Sequence, residues 1–431
     1  MKIINHLHQI YDEESKPFLI YKNDELKFSD VINQKKINLD IIKKGDVVAL
    51  IGDFNSSSIS ILLRLIDLNA ILVPLTIDTK NMHKYFFESA FVDVVIENST
   101  AKRLKHNHNH KLIEKLRKKS HAGLILFSTG TTGRPKAILH DMTLFLERFQ
   151  TPRPALKIIN FLLFDHIGGI NTLLHTLFNK GVVVAPINRT VDSILNICAK
   201  YKVDVLPTTP TFLRLMLMNG SVPSKVPDCL KIITYGTERM DQPTLDELCK
   251  LLPHIDFRQT YGMSELGIVR VKSKTRNSLF MKIGGEGVKI KIDNNILKIR
   301  SKTKMLGYLN AESPFDKNGW YNTKDIVEER DGYIKITGRT DDVINVGGLK
   351  FMASEVERIA LMYPNVTLVK AYAKNNPITG QHVEILIDSI EKNKFNKKII
   401  KDYFKLHLPA HMVPKKIIFD EMKIGHRYKK L

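Results

Sequence analysis

The sequence predicts an α/β protein with parallel strands layered against helices, organised in at least two domains. Length is the first reason, because 431 residues exceed what one ordinary hydrophobic core holds. The second is an alternation of short apolar runs with segments of helical period. Residues 47–51 (VVALI) read as a strand, 55–60 as a polar turn rich in cap-forming side chains, 61–69 as a helix and 70–75 (AILVPL) as the next strand. Strand, helix, strand at this spacing is the pattern of parallel α/β layers. The third is the region from residue 366 onward, where strand and helix alternate in a short stretch that reads as a small α+β unit.

Composition narrows the class. The hydrophobic fraction of 43% is that of a globular protein, and no apolar run approaches the length of a membrane span. The opening MKIINHLHQIYDEE lacks a signal-peptide core, so a cytoplasmic chain is expected. Cys198, Cys229 and Cys249 form no close metal-ligand pair and are read as reduced thiols. A net charge of +21 invites a nucleic-acid reading. The lysines are scattered along the whole chain, however, so no specific nucleic-acid partner is expected. The one dense patch, residues 102–119, alternates His106, His108 and His110 among lysines and is read as a solvated basic connector.

The chemistry begins at residues 124–141, LILFSTGTTGRPKAILHD. An apolar strand opens into Ser128, Thr129, Gly130, Thr131, Thr132 and Gly133, then Arg134, Pro135 and Lys136. Glycines allow several backbone N–H groups to point at one anion. Hydroxyls add donors, and the lysine adds a mobile positive charge suited to phosphate. A Walker A loop is excluded, because no Ser or Thr follows Lys136 and a proline precedes it. A polar surface loop between two strands is the bland alternative. The stretch resembles the phosphate loop of the adenylate-forming superfamily, which includes acyl-CoA synthetases, aryl-CoA ligases and peptide-synthetase adenylation domains. Ala137 replaces that family's last glycine.

Further motifs follow in the family's order. Residues 160–186 read as a strand (161–164) delivering Asp165 and His166 to a Gly168-Gly169 turn, then a helix (170–179) and a strand (182–185). A histidine there either lies at a cleft mouth or caps the following helix. The segment resembles the family's Pro-Leu-Phe-His-Ile-Gly-Gly stretch, which implies that His166 lines the substrate pocket. Residues 201–216 read as strand, proline turn and amphipathic helix. In 231–240 (KIITYGTERM) a strand ends at Thr234, and Tyr235, Gly236 and Thr237 turn outward. The resemblance makes them the seat between adenine and acyl group, narrowed by Tyr235 where the family has glycine.

Residues 258–269 (RQTYGMSELGIV) offer a flat aromatic face in Tyr261, close backbone approach at Gly262, a hydroxyl in Ser264 and a hard oxygen ligand for Mg²⁺ in Glu265. They resemble the adenine motif Tyr-Gly-x-Thr-Glu. By that match Tyr261 stacks on adenine, Ser264 contacts the α-phosphate and Glu265 holds the metal. A β-rich section (284–308), with apolar and basic residues alternating, is closed by residues 305–308, similar to a Met-x-Gly-Tyr element. In GWYNTKD (319–325) Asp325 would take the ribose hydroxyls, with Lys324 where the family has glycine. Arg339 in 338–342 (GRTDD) would touch ribose or phosphates, and Asp341 would be the hinge. Gly347 and Gly348, with Lys350, would line the thiol tunnel.

The resemblance therefore implies a large N-terminal α/β domain, residues 1–338, and a small C-terminal α+β lid, residues 339–431. It implies ATP and Mg²⁺, a small carboxylic acid substrate, and coenzyme A or a carrier protein's pantetheine as thiol acceptor. The N-terminal part is short for the family, and no carrier domain is expected after the lid. The C-terminal Gly-Lys of relatives is altered, since His426 follows Gly425. Lys423, by its spacing to Arg427, is the candidate lid lysine, with Lys429 second. The expected activity is acyl-adenylate formation followed by transfer to a thiol. A freestanding enzyme loading an acyl or aminoacyl group onto an acyl carrier protein is the alternative, since Phe164-Asp165 resembles the amino-group-binding pair of peptide synthetases. A non-catalytic nucleotide-binding relative and a basic nucleic-acid-binding protein remain as further readings.

Overall fold

The computed structural model describes residues 2–11, 16–33, 39–105, 109–128, 134–389 and 396–422. Two seven-stranded sheets, largely parallel, form its centre. In the first, Asp256–Gln259, Ile232–Tyr235, Val205–Thr208, Lys157–Ile159, Val182–Val184 and Leu19–Tyr21 lie side by side and parallel, and Asp24–Leu26 closes the edge as a hairpin. In the second, Gly123–Phe127, Ile71–Leu75, Val47–Ile51 and Val94–Glu97 are parallel, with antiparallel strands at both edges.

The largest core lies between these sheets. Helices Ser56–Asp67 and Ile167–Phe178 fill it, burying Ile59, Leu62, Leu63, Ile170, Leu173 and Leu174 against Val48, Leu72 and Leu124 of one sheet and Val183 of the other. A strand buried on both faces needs apolar side chains at nearly every position, and Val47–Ile51 and Ile71–Leu75 supply them. Outer helices cover the far faces, with Val191–Lys200, Pro210–Met218 and Gln242–Leu251 on the first sheet. His83–Ala90 and Lys111–Lys119 do the same for the second.

Three local expectations are corrected here. The turn at 55–60 is mostly helix: Asn55 caps it by accepting from the Ser58 N–H at 2.9 Å, so the three serines after it enter the first turns. The basic connector at 102–119 contains the strand Thr100–Arg103 and the helix Lys111–Lys119, held by buried Ile113 and Leu116. His110 caps that helix, and His106 and His108 lie outside the described residues. The strand at 161–164 falls instead at Lys157–Ile159, and Gly168-Gly169 sits inside the helix Ile167–Phe178 rather than forming a turn.

A third, antiparallel sheet runs Tyr261–Met263, Gly267–Ser273, Met281–Gly284, Tyr333–Arg339, Tyr321–Arg330, Ile296–Ser301, Val288–Asp293. Residues 305–308 do not close it. Gly307–Tyr308 crosses to the second central sheet and pairs with Ala137–Asp141. The small domain is a five-stranded sheet with helices Ala353–Leu361 and Lys397–His407 around its own core of Val356, Val369, Ile385, Ile400 and Phe404. It meets the large domain where Ser354 Oγ donates to the Thr337 carbonyl at 3.1 Å, an oxygen that also accepts from Arg239 at 3.0 Å. Among the described residues no helix is long and apolar enough to cross a membrane.

Candidate active site

The phosphate-loop candidates stand on two antiparallel strands, Gly123–Phe127 and Ala137–Asp141. Their ladder continues one step further, because the Ser128 N–H donates to the Lys136 carbonyl and the Lys136 N–H donates to Ser128 Oγ, both at 3.0 Å. Thr129, Gly130, Thr131, Thr132 and Gly133 lie outside the described residues. The stem is buttressed from a distance. Asn310 accepts from the Ala137 N–H at 2.8 Å and donates to the Pro135 carbonyl at 3.1 Å, which also accepts from Tyr85 Oη at 2.8 Å.

The strand switch of Gly307–Tyr308 brings the second motif to the first. Tyr308 pairs opposite Ile138, two residues beyond Lys136, and its ring lies 4.9 Å from Lys136 Nζ. Its hydroxyl donates to Glu265 Oε1 at 2.7 Å. Lys136, Tyr308 and Glu265 are therefore contiguous, although they come from three parts of the chain. Glu265 presents a hard carboxylate oxygen. Among the described residues no group of three His, Cys, Asp or Glu could hold a metal ion. A single carboxylate fits Mg²⁺, which is usually held by one or two carboxylates together with substrate phosphates and water.

Ser264 is fixed through its backbone. His140, on the strand following the phosphate loop, donates from Nε2 to the Ser264 carbonyl at 2.6 Å. Burial lowers the His140 pKa from 6.5 to about 4, partly opposed by that hydrogen bond. The neutral ring is the folded form. Its contribution to stability is complete above pH 6.5 and is lost as pH falls toward 4, amounting to about 3 kcal/mol by linkage. His140→Gln should therefore flatten the loss of melting temperature between pH 6.5 and 4, and an unchanged slope would show that His140 does not carry it.

Tyr261, Asp325 and Arg339 form a second cluster. The Tyr261 hydroxyl donates to Asp325 Oδ2 at 2.5 Å, and Arg339 Nε lies 3.3 Å from Asp325 Oδ1. Asp325 faces Arg339 because the two are paired across adjacent strands. Burial pushes the Asp325 carboxyl up, against the Tyr261 hydrogen bond and the Arg339 charge, which lower it. The Tyr261 ring is only 7% exposed, so it is less open a platform than the sequence suggests. Gly262 makes a close approach, but to the neighbouring strand: a Cβ there would lie 2.7 Å from the Gly267 carbonyl oxygen.

The acyl-seat candidates do not all behave as expected. Tyr235 ends its strand and is 1% exposed, buried in the core with Ile233, Leu245 and Phe257 rather than narrowing an open seat. Strand alternation puts its side chain on the same face as Ile233. Gly236 is buried, and Thr237 adopts a left-handed backbone (φ 68°) with a buried Oγ1 that has no partner among the described residues. His166 is buried and caps its helix, Nδ1 accepting from the Gly168 N–H at 3.0 Å.

Asp341 lies in the short turn Thr340–Asp342 between the third sheet and the small-domain sheet. Its carboxylate pairs with Lys324 Nζ at 3.1 Å, and Lys324 itself holds a left-handed backbone, φ 62°. Gly347 and Gly348 (φ 62° and 89°) form a two-residue hairpin turn requiring positive φ at both positions. Leu349 and the exposed Lys350 begin the next strand. Lys423 and Lys429 lie outside the described residues. Sequence reasoning missed His140, Tyr85 and Asn310. Only Asn310 had a local signal, two residues after Tyr308.

This arrangement, two packed α/β sheets with an antiparallel sheet and a small C-terminal domain beyond, is the adenylate-forming fold, mixed α/β with a large N-terminal and a small C-terminal domain. The AMP-binding enzyme family model matches residues 39–295, more than half of the chain, and the chain belongs to that family. An acyl-CoA synthetase of Alternaria alternata is 25% identical over 349 residues, covering 69% of this chain and 61% of that protein. A 4-coumarate–CoA ligase-like protein of Arabidopsis thaliana is 20% identical, covering 70% of this chain and 59% of its own length. A medium/long-chain-fatty-acid–[acyl-carrier-protein] ligase of Mycobacterium tuberculosis is 29% identical over 281 residues, covering 55% and 50%. The chain thus spans only about three-fifths or less of these curated relatives. Among solved structures, an anthranilate CoA ligase with anthranoyl-AMP superposes with a TM-score of 0.81 at 16% identity, covering 100% of this chain and 95% of that one. ATP-bound MatB from Rhodopseudomonas palustris gives 0.78 at 16%, covering 99% and 96%. At these identities the likeness is one of fold.

Proposed function

We propose that the protein activates a carboxylic acid with ATP, forming an acyl-adenylate and pyrophosphate, and then transfers the acyl group to a thiol. The observation that carries this reading is the contiguity of Lys136, Tyr308 and Glu265 beside the phosphate-loop stem. An ammonium and a carboxylate gathered on one tyrosine, one for phosphate and one for a cation, suit charge development on a polyphosphate. Glu265 would hold Mg²⁺, which when bound supplies charge neutralisation at the phosphates. Lys136 would position the triphosphate electrostatically. The Asp325 carboxylate would accept from the ribose hydroxyls, with Arg339 alongside, and Tyr261 would border adenine while fixing Asp325.

The lid would begin after Gly338 and turn about Asp341, exchanging a C-terminal lysine for the Gly347-Gly348 turn at the reaction centre. Lys423→Ala should then slow adenylate formation at least tenfold while sparing thiol transfer from a preformed adenylate. If only Lys429→Ala shows that split, the role moves to Lys429. If neither variant does, the lid works without a lysine. ATP–pyrophosphate exchange across a panel of carboxylic acids tests the whole reading, and silence with every acid would leave a nucleotide-binding relative without this activity. An acyl carrier protein as acceptor is supported by the fatty-acid–[acyl-carrier-protein] ligase among the relatives. Comparing coenzyme A with holo-carrier protein in the second half-reaction separates the two acceptors.

A further inference from the structure

Tyr308 is placed by backbone alone. Its strand pairs with Ala137–Asp141, and three residues earlier the Met305 N–H donates to the Glu265 carbonyl at 2.8 Å. The segment is thereby pinned to the phosphate-loop strand at one end and to the Tyr261–Glu265 motif at the other. The side chain adds two contacts that strand pairing does not require. Its hydroxyl donates to Glu265 Oε1 at 2.7 Å, and its ring face receives the Lys136 ammonium at 4.9 Å. Tyr308 is 6% exposed, and the Tyr321 hydroxyl lies within hydrogen-bonding reach of its own. Phenylalanine would fill the same volume, so the hydroxyl answers to something other than packing.

An exposed lysine and a partly buried carboxylate within reach of one tyrosine would ordinarily be drawn together. Among the described residues Lys136 and Glu265 form no ion pair with each other. Tyr308 gives each a different partner: an aromatic face for the ammonium, a charge-assisted hydrogen bond for one carboxylate oxygen. The second carboxylate oxygen is left for another ligand.

We propose that Tyr308 is a positioning residue that keeps Lys136 and Glu265 apart and aimed, so that the phosphate-binding ammonium and the cation-binding carboxylate are set before nucleotide arrives. The inference rests on the reading of this site as one for ATP with a divalent cation. It assigns to Tyr308 the ordering that a flexible lysine and glutamate would otherwise undergo on binding, a cost in side-chain entropy.

The test uses the full chain and equilibrium binding of Mn²⁺, followed by electron paramagnetic resonance in the presence of α,β-methylene-ATP, which cannot form the adenylate. Tyr308→Phe removes only the hydroxyl and should weaken Mn²⁺ binding about tenfold, the worth of one hydrogen bond to a charged group. Tyr308→Leu removes the ring as well and should also weaken the nucleotide when metal is chelated. In a Glu265→Gln background, Tyr308→Phe should have no further effect on Mn²⁺. That cycle decides the matter, because a general packing defect from Tyr308→Phe would appear equally in both backgrounds. Wild-type Mn²⁺ affinity in Tyr308→Phe, or an equal loss in both backgrounds, overturns the positioning role while leaving the ATP-site reading intact. A wild-type chain that binds no Mn²⁺ with the nucleotide overturns both.

Discussion

Glu265→Gln is expected to lower ATP–pyrophosphate exchange by about 10²–10³-fold, the scale seen when one preorganised charge-stabilising group is removed. The substitution is close to isosteric. Its amide oxygen can still accept from the Tyr308 hydroxyl, and the Met305 N–H bonds to the backbone carbonyl, which is untouched. Only the charge is lost. A neutral amide is a weak ligand for Mg²⁺, whose preference is for hard anionic oxygens, so the triphosphate would lose part of its neutralisation where charge develops. Melting temperature should move little, and excess Mg²⁺ should restore part of the rate if affinity is what fell. Near-normal exchange at ordinary Mg²⁺ would show that Glu265 is not the metal ligand.

What was legible in the sequence, and what was not, divides along the range of the interactions. Strands 47–51 and 182–184 announce themselves because burial on both faces demands an unbroken apolar run, which is a local property. The sequence places the start of the helix Ser56–Asp67 five residues late, because three serines look like a turn. Asn55 as cap makes them the first turn instead, and propensity yields to capping. The apolar run 161–164 reads as a strand, yet the sheet takes Lys157–Ile159; Phe161 is buried in the core of the first sheet and Phe164 in the core between the two sheets, so the run is apolar because it packs and not because it pairs. Tyr235 departs from its expected place for a related reason: near a strand end, alternation decides the face, and the strand runs one residue further than the sequence suggests. The crossing of Gly307–Tyr308 to a different sheet is a non-local pairing with no sequence period at all. It is the event that joins Lys136 to Glu265, so the motifs were readable one at a time while their geometry was not.

Asp325→Ala is the other substitution with a large expected effect, and it acts on binding and stability together. The Tyr261 hydroxyl, buried with its ring, would lose its acceptor, costing about 1–3 kcal/mol for an unsatisfied buried donor. Arg339, half exposed, would re-solvate at little cost. The ribose would lose a two-oxygen acceptor, and ATP affinity should fall about a hundredfold, roughly two hydrogen bonds' worth. Asp325→Asn separates the two effects. Its carbonyl oxygen can still accept from Tyr261, so stability should be largely kept, while one ribose contact and the pairing with Arg339 are weakened and affinity falls about tenfold. Acidity offers a third reading. Burial raises the Asp325 pKa, and on the proposed role the ionised form is the one that would accept from both ribose hydroxyls. ATP binding in the wild type should therefore weaken as pH falls, beginning above the usual aspartate range, and Asp325→Asn should remove that dependence. Titrating ATP against wild type and both variants across pH checks all three outcomes, and wild-type affinity in Asp325→Ala would take the ribose away from this carboxylate.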